Sequence, residues 1–108
     1  MQTKSKVETF IGFAIKKRAL VTGSDSVSRL KRASLVLLCK SGSPNAKKDA
    51  LNAGARLKCP VVECEILLED LTGKQNCKIA ALTDKQLAAA IINNLNQNFS
   101  VISGGIVR

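Results

Sequence analysis

The apolar positions of residues 7–15 recur at the spacing of an α-helix. They fall at i, i+3, i+4, i+7 and i+8, so they share one face of an amphipathic helix. These residues are Val7, Phe10, Ile11, Ala14 and Ile15. The basic residues 16–18 follow and suit the negative end of the helix dipole. The first element is therefore predicted to be a helix that ends near residue 18.

A short apolar run, a glycine and a polar cluster follow this helix. Residues 20–21 (Leu-Val) favour a strand. Gly23 can adopt a positive φ or allow a close backbone approach that a side chain would block. Residues 24–26 (Ser-Asp-Ser) are all good N-cap residues, so a short helix is predicted to begin there and to end near Ala33. Its outward-facing basic residues are Arg29, Lys31 and Arg32.

A buried strand and a long helix are predicted next. Residues 34–39 form a continuous apolar run, which is typical of a strand covered on both faces. Ser43 and Pro44 supply an N-cap and the first position of a helix. The residues predicted for its inner face are Ala50, Leu51, Gly54 and Leu57. Those predicted to point outward are Lys47, Lys48, Asn52 and Arg56.

The second half of the chain continues this alternation. Residues 60–64 predict another strand, and residues 65–71 predict a short helix that stops at Gly73. Residues 78–82 predict a further strand, and either Thr83 or Asp84 caps the last long helix. The apolar stripe of that helix is Leu87, Ala88, Ile91, Ile92 and Leu95.

Strands that alternate with helices indicate an α/β domain. We predict a three-layer α-β-α sandwich with about five helices and a four-stranded, largely parallel or mixed central sheet. Residues 1–95 are expected to form one domain, since 108 residues suffice for a single core. Residues 96–108 fit either a tail or an extra edge strand, and the pattern does not decide between them.

The charge is distributed unevenly along the chain. Residues 1–58 hold 13 of the 17 Lys and Arg residues against 3 Asp and Glu, whereas residues 59–108 hold 4 against 5. A basic half-chain of this kind indicates a polyanionic partner. Nucleic acid is favoured over a membrane surface, because the apolar helix faces are needed for the core. Only three residues are aromatic, which argues against binding of single strands by base stacking.

The composition disfavours catalysis, metals and cofactors. The chain has no histidine, and its four cysteines form no Cys-x-x-Cys pair, so no metal site is expected. Gly73-Lys74 lacks the earlier glycine of a phosphate-binding loop. Cys39 beside Lys40 is the one candidate thiol nucleophile, and a weak one. The N-terminus does not look like a signal peptide and no apolar run is long enough to span a membrane, which predicts a cytoplasmic protein.

Several short segments together resemble the L-seven-Ae ribosomal protein family, especially its small bacterial branch. The resemblance covers roughly residues 7–95, and it lies in the order and spacing of the segments rather than in any single motif. The segments are Leu20-Val-Thr-Gly23, Leu35-Val-Leu-Leu38, Asn45 with Lys48, Pro60-Val-Val62, Gly73-Lys74 and Ile79-Ala-Ala-Leu-Thr-Asp84.

The resemblance implies an α-β-α sandwich that binds kink-turn RNA, an internal loop with tandem sheared G·A pairs and a sharp bend. In that family the contacting turn reads Gly-x-Asn-Glu, followed by a basic residue one helical turn later. The matching positions here are Gly23, Ser24, Asp25, Ser26 and Arg29. Asp25 and Ser26 depart from the pattern, since aspartate only accepts hydrogen bonds and serine is short and uncharged.

Two interpretations remain open at this point. In the first, a monomeric, non-catalytic, ribosome-associated protein binds structured RNA, either ribosomal RNA or a kink-turn. Gly23, Ser24, Asp25, Ser26 and Arg29 would then contact bases, together with Leu82 from the last predicted strand. The residues predicted to hold phosphates are Lys16, Lys17, Lys31, Arg32, Lys40 and Lys74. In the second, the protein keeps the fold as an interaction module but has lost kink-turn specificity.

Overall fold

The computed structural model describes residues 6–73 and 77–103 of the chain. In these residues, five helices alternate with five strands, which confirms the predicted α/β class. The helices are α1 (Lys6–Lys16), α2 (Ser24–Ser28), α3 (Pro44–Leu57), α4 (Leu68–Thr72) and α5 (Lys85–Asn93). The strands are β1 (Leu20–Thr22), β2 (Leu35–Cys39), β3 (Val61–Cys64), β4 (Ile79–Leu82) and β5 (Phe99–Ser103).

The five strands form one mixed sheet in the order β1-β4-β2-β3-β5. Only β2 and β3 pair in parallel, with Val36 opposite Val61. The pairs β1–β4, β2–β4 and β3–β5 are antiparallel. The mixed alternative was therefore right, the largely parallel one was wrong, and the predicted strand count was one too low. The sequence pattern predicts which residues form strands but not the order of the strands in the sheet. It therefore could not reveal that β4 lies between β1 and β2 and runs antiparallel to both.

The additional strand is β5, at one edge of the sheet. It pairs antiparallel with β3, with Phe99 opposite Cys64. The backbone N–H of Glu65 donates a 2.7 Å hydrogen bond to the Asn98 carbonyl, which fixes the chain as it approaches β5. Phe99 is only 3% exposed and belongs to the hydrophobic core. Of the two alternatives for the end of the chain, the structure has the edge strand over residues 99–103.

Helices cover both faces of the sheet. Leu35 and Leu37 of β2 belong to a core cluster that also contains residues of α1, α4 and α5, whereas Val36 and Leu38 pack with α2 and α3. This alternation follows from the two-residue period of a strand and agrees with the predicted layer order. No helix in the described part of the chain is long and apolar enough to cross a membrane.

Three helix boundaries have clear local causes. The Ser43 hydroxyl accepts a 3.2 Å hydrogen bond from the Ala46 N–H, so α3 begins at Pro44 as predicted. Of the two candidates for α5, Asp84 is the N-cap, because its carboxylate accepts a 2.9 Å hydrogen bond from the Leu87 N–H. Helix α4 ends at Gly73, with a φ of 74°, but it begins at Leu68 rather than at residue 65.

The predicted apolar face of α1 is correct except at its C-terminal end. Val7, Ile11 and Ala14 are fully buried, and Phe10 packs against the core from its margin. Ile15 is 38% exposed, because it lies in the last turn at the edge of the face that α4 and α5 cover. The prediction that Ile15 faces the core was wrong.

Helix α2 is shorter than predicted and begins differently. Its N-cap is Gly23, with a φ of 95°, and no side chain caps it, so the predicted N-cap role of residues 24–26 was wrong. The helix ends at Ser28, and Arg29 is its C-cap. The guanidinium of Arg56 donates to the Val27 carbonyl at 3.0 Å and to the Leu30 carbonyl at 2.5 Å. These bonds tie α3 to the end of α2 and to the segment that follows it.

Candidate nucleic-acid interface

The sheet has two ends, which carry different connections. At the Gly23 end, β1, β2 and β3 finish and β4 begins; at the Ser34 end, β1, β2 and β3 begin and β4 finishes. The connections from β1 to α2 and from β2 to α3 therefore lie at the Gly23 end. Those from α1 to β1, α2 to β2, α3 to β3 and β4 to α5 lie at the Ser34 end.

The turn at Gly23 is held by backbone hydrogen bonds. The Gly23 N–H donates to the Ile79 carbonyl at 2.9 Å, and the Gly23 carbonyl accepts from the Val27 N–H at 3.0 Å. A Cβ on Gly23 would meet no atom within 4 Å, so space does not require a glycine here. The φ of 95° does, because L residues with side chains rarely adopt it. The prediction of a positive φ at this glycine is confirmed.

A polar cavity of about 250 Å³ lies between α2 and α3 beside this turn. Ser24 and Asp25 line it from α2, and Asp49 and Arg56 line it from α3. A second cavity, of about 300 Å³, shares Ser24 and Asp49 with the first and extends to Gly23, Asn45 and Lys78. Ser24 and Asp25 therefore lie at a concave site, as a binding role requires.

Sequence reasoning missed the contribution of α3 to this site. Asp49, Ala53 and Arg56 are spaced at i, i+4 and i+7, so they share one face of α3, and all three line the cavity. Arg56 is exposed, as predicted, but its guanidinium also joins α3 to the end of α2. The spacing of these three residues along the chain was the sequence signal that could have revealed their shared face on α3.

Two of the lysines at the Gly23 end, Lys40 and Lys78, have acidic or hydroxyl partners. Lys40 donates to Glu65 at 2.7 Å, and this hydrogen bond, with the charge of Glu65, raises the pKa of Lys40. Lys78 lies 3.0 Å from the Ser41 hydroxyl and 3.7 Å from Glu69. Lys40 was predicted to hold a phosphate, but in this structure its ammonium group is paired with a carboxylate.

The Ser34 end is strongly basic. Asp84 is the only acidic residue in its described connections, and Lys17 forms an ion pair with it. The hydrogen bond from Lys17, and then that from the Leu87 N–H, hold the pKa of Asp84 below its usual value. All the basic side chains there are exposed: Lys16, Lys17, Arg18, Lys31, Arg32, Lys58 and Lys85. Apart from Lys17, none of these seven has an ion-pair partner among residues 6–73 and 77–103.

Two of these basic residues adopt left-handed backbone conformations. Arg18 has a φ of 60° and Lys58 a φ of 57°, and they are the two non-glycine residues with positive φ in the described chain. Each follows a helix closely, where glycine is the usual residue. The Ser34 end thus carries long cationic side chains at two positions that favour glycine.

The predicted site residues do not form one patch. Gly23, Ser24 and Asp25 lie together at the Gly23 end, with Ser26 exposed in α2. Arg29 ends α2, between the two ends of the sheet. The predicted phosphate-binding residues Lys16, Lys17, Lys31 and Arg32 lie at the Ser34 end, and the last two follow α2 rather than belong to it.

The predicted contact at Leu82 is not available at the surface of this structure. Leu82 is fully buried at the end of β4, paired with both Leu20 and Leu35, so the prediction that it contacts RNA was wrong. A continuous apolar strand in the middle of a sheet exposes neither face. Lys74 lies outside the described residues.

The four cysteines are free and buried. Burial raises the pKa of Cys64 to about 12 and also raises the pKa of Cys59. Burial acts in the same direction on Cys39, but hydrogen bonds from Ser41 and from backbone at Leu68, with the charge of Lys78, outweigh it and lower the Cys39 pKa. The Cys39 sulfur lies 3.0 Å from the Ser41 hydroxyl and is nearly inaccessible. In the described residues, no group of three or more His, Cys, Asp or Glu side chains could hold a metal ion.

The fold and these two ends define an α/β domain with helices on both faces of a mixed sheet. A solved structure described as a protein with unknown function from Bacillus halodurans C has a similar fold. Its TM-score is 0.67 at 24% identity, and the match covers 82% of this chain and 99% of that one. No protein-family model matches the chain, and no curated protein matches it. At this identity the likeness concerns the fold alone.

Proposed function

We propose that this protein binds structured RNA and has no catalytic role. The observation that carries the proposal is the Ser34 end, where the described residues include seven exposed basic side chains and a single acidic one, Asp84. Lys and Arg residues that lack protein partners can replace condensed counterions along a phosphate backbone, which gives strong, salt-dependent binding. Their clustering at one end of a folded sheet suits a structured RNA better than a flexible strand.

The Gly23 end would supply shape or base recognition within the same complex. Ser24 and Asp25 line a concave polar surface beside an ordered turn, and Arg29 lies at the other end of α2. A carboxylate accepts hydrogen bonds from base N–H groups but repels phosphate. The resemblance to kink-turn-binding ribosomal proteins makes a kink-turn the first RNA to test. A cytoplasmic, ribosome-associated role and a monomeric state form part of the same proposal.

A second candidate is a module that keeps this fold without kink-turn specificity. The specific observation in its favour is the pair of carboxylates, Asp25 and Asp49, that line the cavities beside the Gly23 turn. Both are exposed and would face the RNA. In this case the Ser34 end would still bind RNA, but it would not distinguish a kinked from a straight duplex.

Fluorescence anisotropy tests the proposal with a kink-turn RNA and a straight duplex of equal length. Salt should be varied over roughly 50 to 200 mM, where phosphate-driven binding weakens steeply. We expect both RNAs to bind and the kink-turn to bind more tightly. Arg29→Ala should reduce that preference, whereas Lys48→Ala, on the exposed side of α3, should not.

Equal binding of the two RNAs, unaffected by Arg29→Ala, would favour the second candidate. The absence of binding to either RNA at the lowest salt concentration would exclude RNA binding and leave only a protein-interaction role for this fold. A preference that Lys48→Ala removes as fully as Arg29→Ala does would place recognition outside the Gly23 turn and α2.

A further inference from the structure

A groove opens at the Ser34 end, on the side of the sheet covered by α5. Its volume is about 470 Å³. One wall is α5, with Ala89 and Ile92, and the other is the pair of segments that lead into β2 and β3, with Ala33 and Pro60. Small side chains line both walls, Ala33 on one and Ala88 and Ala89 on the other.

Two lysines from different elements line this apolar groove. Lys58 follows α3, and Lys85 is the first residue of α5. Both side chains are exposed, and neither has an ion-pair partner in the described residues. No acidic residue lines the groove, although Asp84 is the chain neighbour of Lys85. The groove therefore combines an apolar surface with two positive charges.

The backbone at Lys58 adds to this argument. Its φ of 57° and ψ of 47° are left-handed, and glycine would adopt them without strain. The chain instead has a long cationic side chain at this position, which puts an ammonium group at the groove. Strained positions that persist in a fold often serve a function.

We propose that this groove binds a small amphiphilic anion, an organic molecule with an apolar ring or short alkyl body and one carboxylate, sulfonate or phosphate group. The volume falls within the roughly 300 to 1,000 Å³ of small-molecule sites, which also combine an apolar lining with a few polar groups. The apolar body would lie against Ala89 and Ile92, and the anionic group would lie between Lys58 and Lys85. An RNA phosphate has no apolar body to place there.

This inference goes beyond RNA binding and does not depend on it. The ligand is bound and released unchanged, so no reaction is involved. RNA binding through Lys31 and Arg32 can fail while the groove still binds its ligand, and the reverse also holds.

The test uses two fluorescent probes with similar ring systems. 8-Anilinonaphthalene-1-sulfonate carries the anionic group, whereas N-phenyl-1-naphthylamine is neutral. We expect saturable binding of both to the full chain. Lys58→Gln/Lys85→Gln should weaken sulfonate binding roughly fivefold, because each exposed ion pair contributes modestly, and should leave the neutral probe unaffected. Lys47→Gln/Lys48→Gln removes the same charge from the first turn of α3 and should change neither.

A second pair of variants tests the apolar wall. Ala89→Leu places a larger side chain in the groove and should abolish binding of both probes. Ala55→Leu makes the same change on an exposed position of α3 and should have no effect. Leucine is a good helix former, so both variants should fold, which circular dichroism would check.

Three results would overturn the proposal. The first is the absence of saturable binding to the wild-type protein. The second is an equal loss of sulfonate binding in the Lys47/Lys48 variant, because binding would then follow net charge. The third is an equal effect of Ala89→Leu and Ala55→Leu, because the probes would then bind elsewhere.

Discussion

The two ends of the sheet are built from the same kinds of connection but differ in charge. The connections and the first two helical turns at the Gly23 end carry acidic and basic residues in similar numbers. The acidic ones are Asp25, Asp49, Glu65, Glu69 and Asp70, and the basic ones in the described chain are Lys40, Lys47, Lys48 and Lys78. Among residues 6–73 and 77–103, the Ser34 end has seven basic residues and one acidic residue, Asp84. Polyanion binding is therefore expected to concentrate at one end.

The topology explains how this difference arises. Strands β1, β2 and β3 point the same way, so the connections that precede them meet at one end. Basic residues that are far apart in sequence, at positions 16–18, 31–32 and 58, thus come to share a surface. The basic first half of the chain becomes a basic end of the sheet rather than a uniformly charged molecule.

The largest effect on the architecture of the Ser34 end should come from Gly54→Ala. A Cβ there would lie 2.4 Å from Cγ2 of Val61 and 3.2 Å from the Cys59 carbonyl oxygen, so α3 would have to move away from β3. Overpacking of this kind costs about 1–3 kcal/mol, which urea unfolding would measure. Gly12→Ala in α1 is the matched control, because a Cβ there meets nothing within 4 Å. It should stabilise the protein by roughly 0.5–1 kcal/mol. A loss of stability in the control but not in Gly54→Ala would contradict this description of the packing.

Lys58→Gly should stabilise the protein by roughly 1 kcal/mol, because it relieves a left-handed non-glycine residue. The same change should weaken binding of anionic ligands at the Ser34 end. Thermal unfolding and RNA titration on the same samples would show the two effects together. Lys48→Gly, inside α3, should instead destabilise by a similar amount. A lower stability of Lys58→Gly would contradict the strain that we assign to the left-handed backbone at Lys58.

Asp84→Asn should show how much the single carboxylate of the Ser34 end stabilises the fold. Asparagine is also a good N-cap, so the change mainly removes the charge that pairs with Lys17. The pKa of Asp84 is lower in the folded protein than in the unfolded chain. The charged carboxylate therefore stabilises the fold above the unfolded-state pKa, and this stabilisation is lost as the pH falls through the folded-state pKa. The variant should be less stable than wild type at neutral pH, and the difference should vanish in acid. The stability of Lys17→Gln should likewise approach that of wild type in acid. A stability difference that stays constant at every pH would contradict this role of the Lys17–Asp84 ion pair.

The smallest predicted effect concerns the Gly23 end. Asp25→Asn removes a negative charge from the exposed surface beside the turn and adds a hydrogen-bond donor. We expect RNA affinity to rise by a factor of a few, as for other exposed charges. Asp70→Asn on α4 makes the same charge change on an exposed residue outside the cavities and should have less effect. Equal effects of Asp25→Asn and Asp70→Asn would show that RNA affinity at this end depends on net charge alone.

Much of the fold was predictable because each element carried a local signal. Ser43 with Pro44, the glycine stop at Gly73 and the continuous apolar run of β2 all have short-range physical causes. The order of strands in the sheet was not predictable, because the antiparallel insertion of β4 depends on contacts between distant residues. The pattern of residues 96–108 did not distinguish a tail from an edge strand for the same reason, since the partner strand β3 lies more than thirty positions before β5.

The candidate site was less predictable than the fold. The short segment from Gly23 to Arg32 looked like one capped helix, and its basic residues therefore looked like one surface. The helix instead ends at Ser28, where Arg56 from a distant helix hydrogen-bonds the Val27 carbonyl. Lys31 and Arg32 therefore lie in the segment that leads to β2, toward the other end of the sheet. The contribution of Asp49 to the cavity likewise depends on how α3 packs against α2.

The central claim is that the Ser34 end is where this protein holds RNA, and two matched double variants test it directly. Lys31→Gln/Arg32→Gln and Lys47→Gln/Lys48→Gln each remove two exposed charges, from the Ser34 end and the Gly23 end respectively. Binding of one structured RNA would be measured by anisotropy across a salt series. We predict that the first variant binds more weakly, with a salt slope reduced by about one for each lost phosphate contact, and that the second stays close to wild type. Equal losses, or a greater loss in the Lys47/Lys48 variant, would contradict the account.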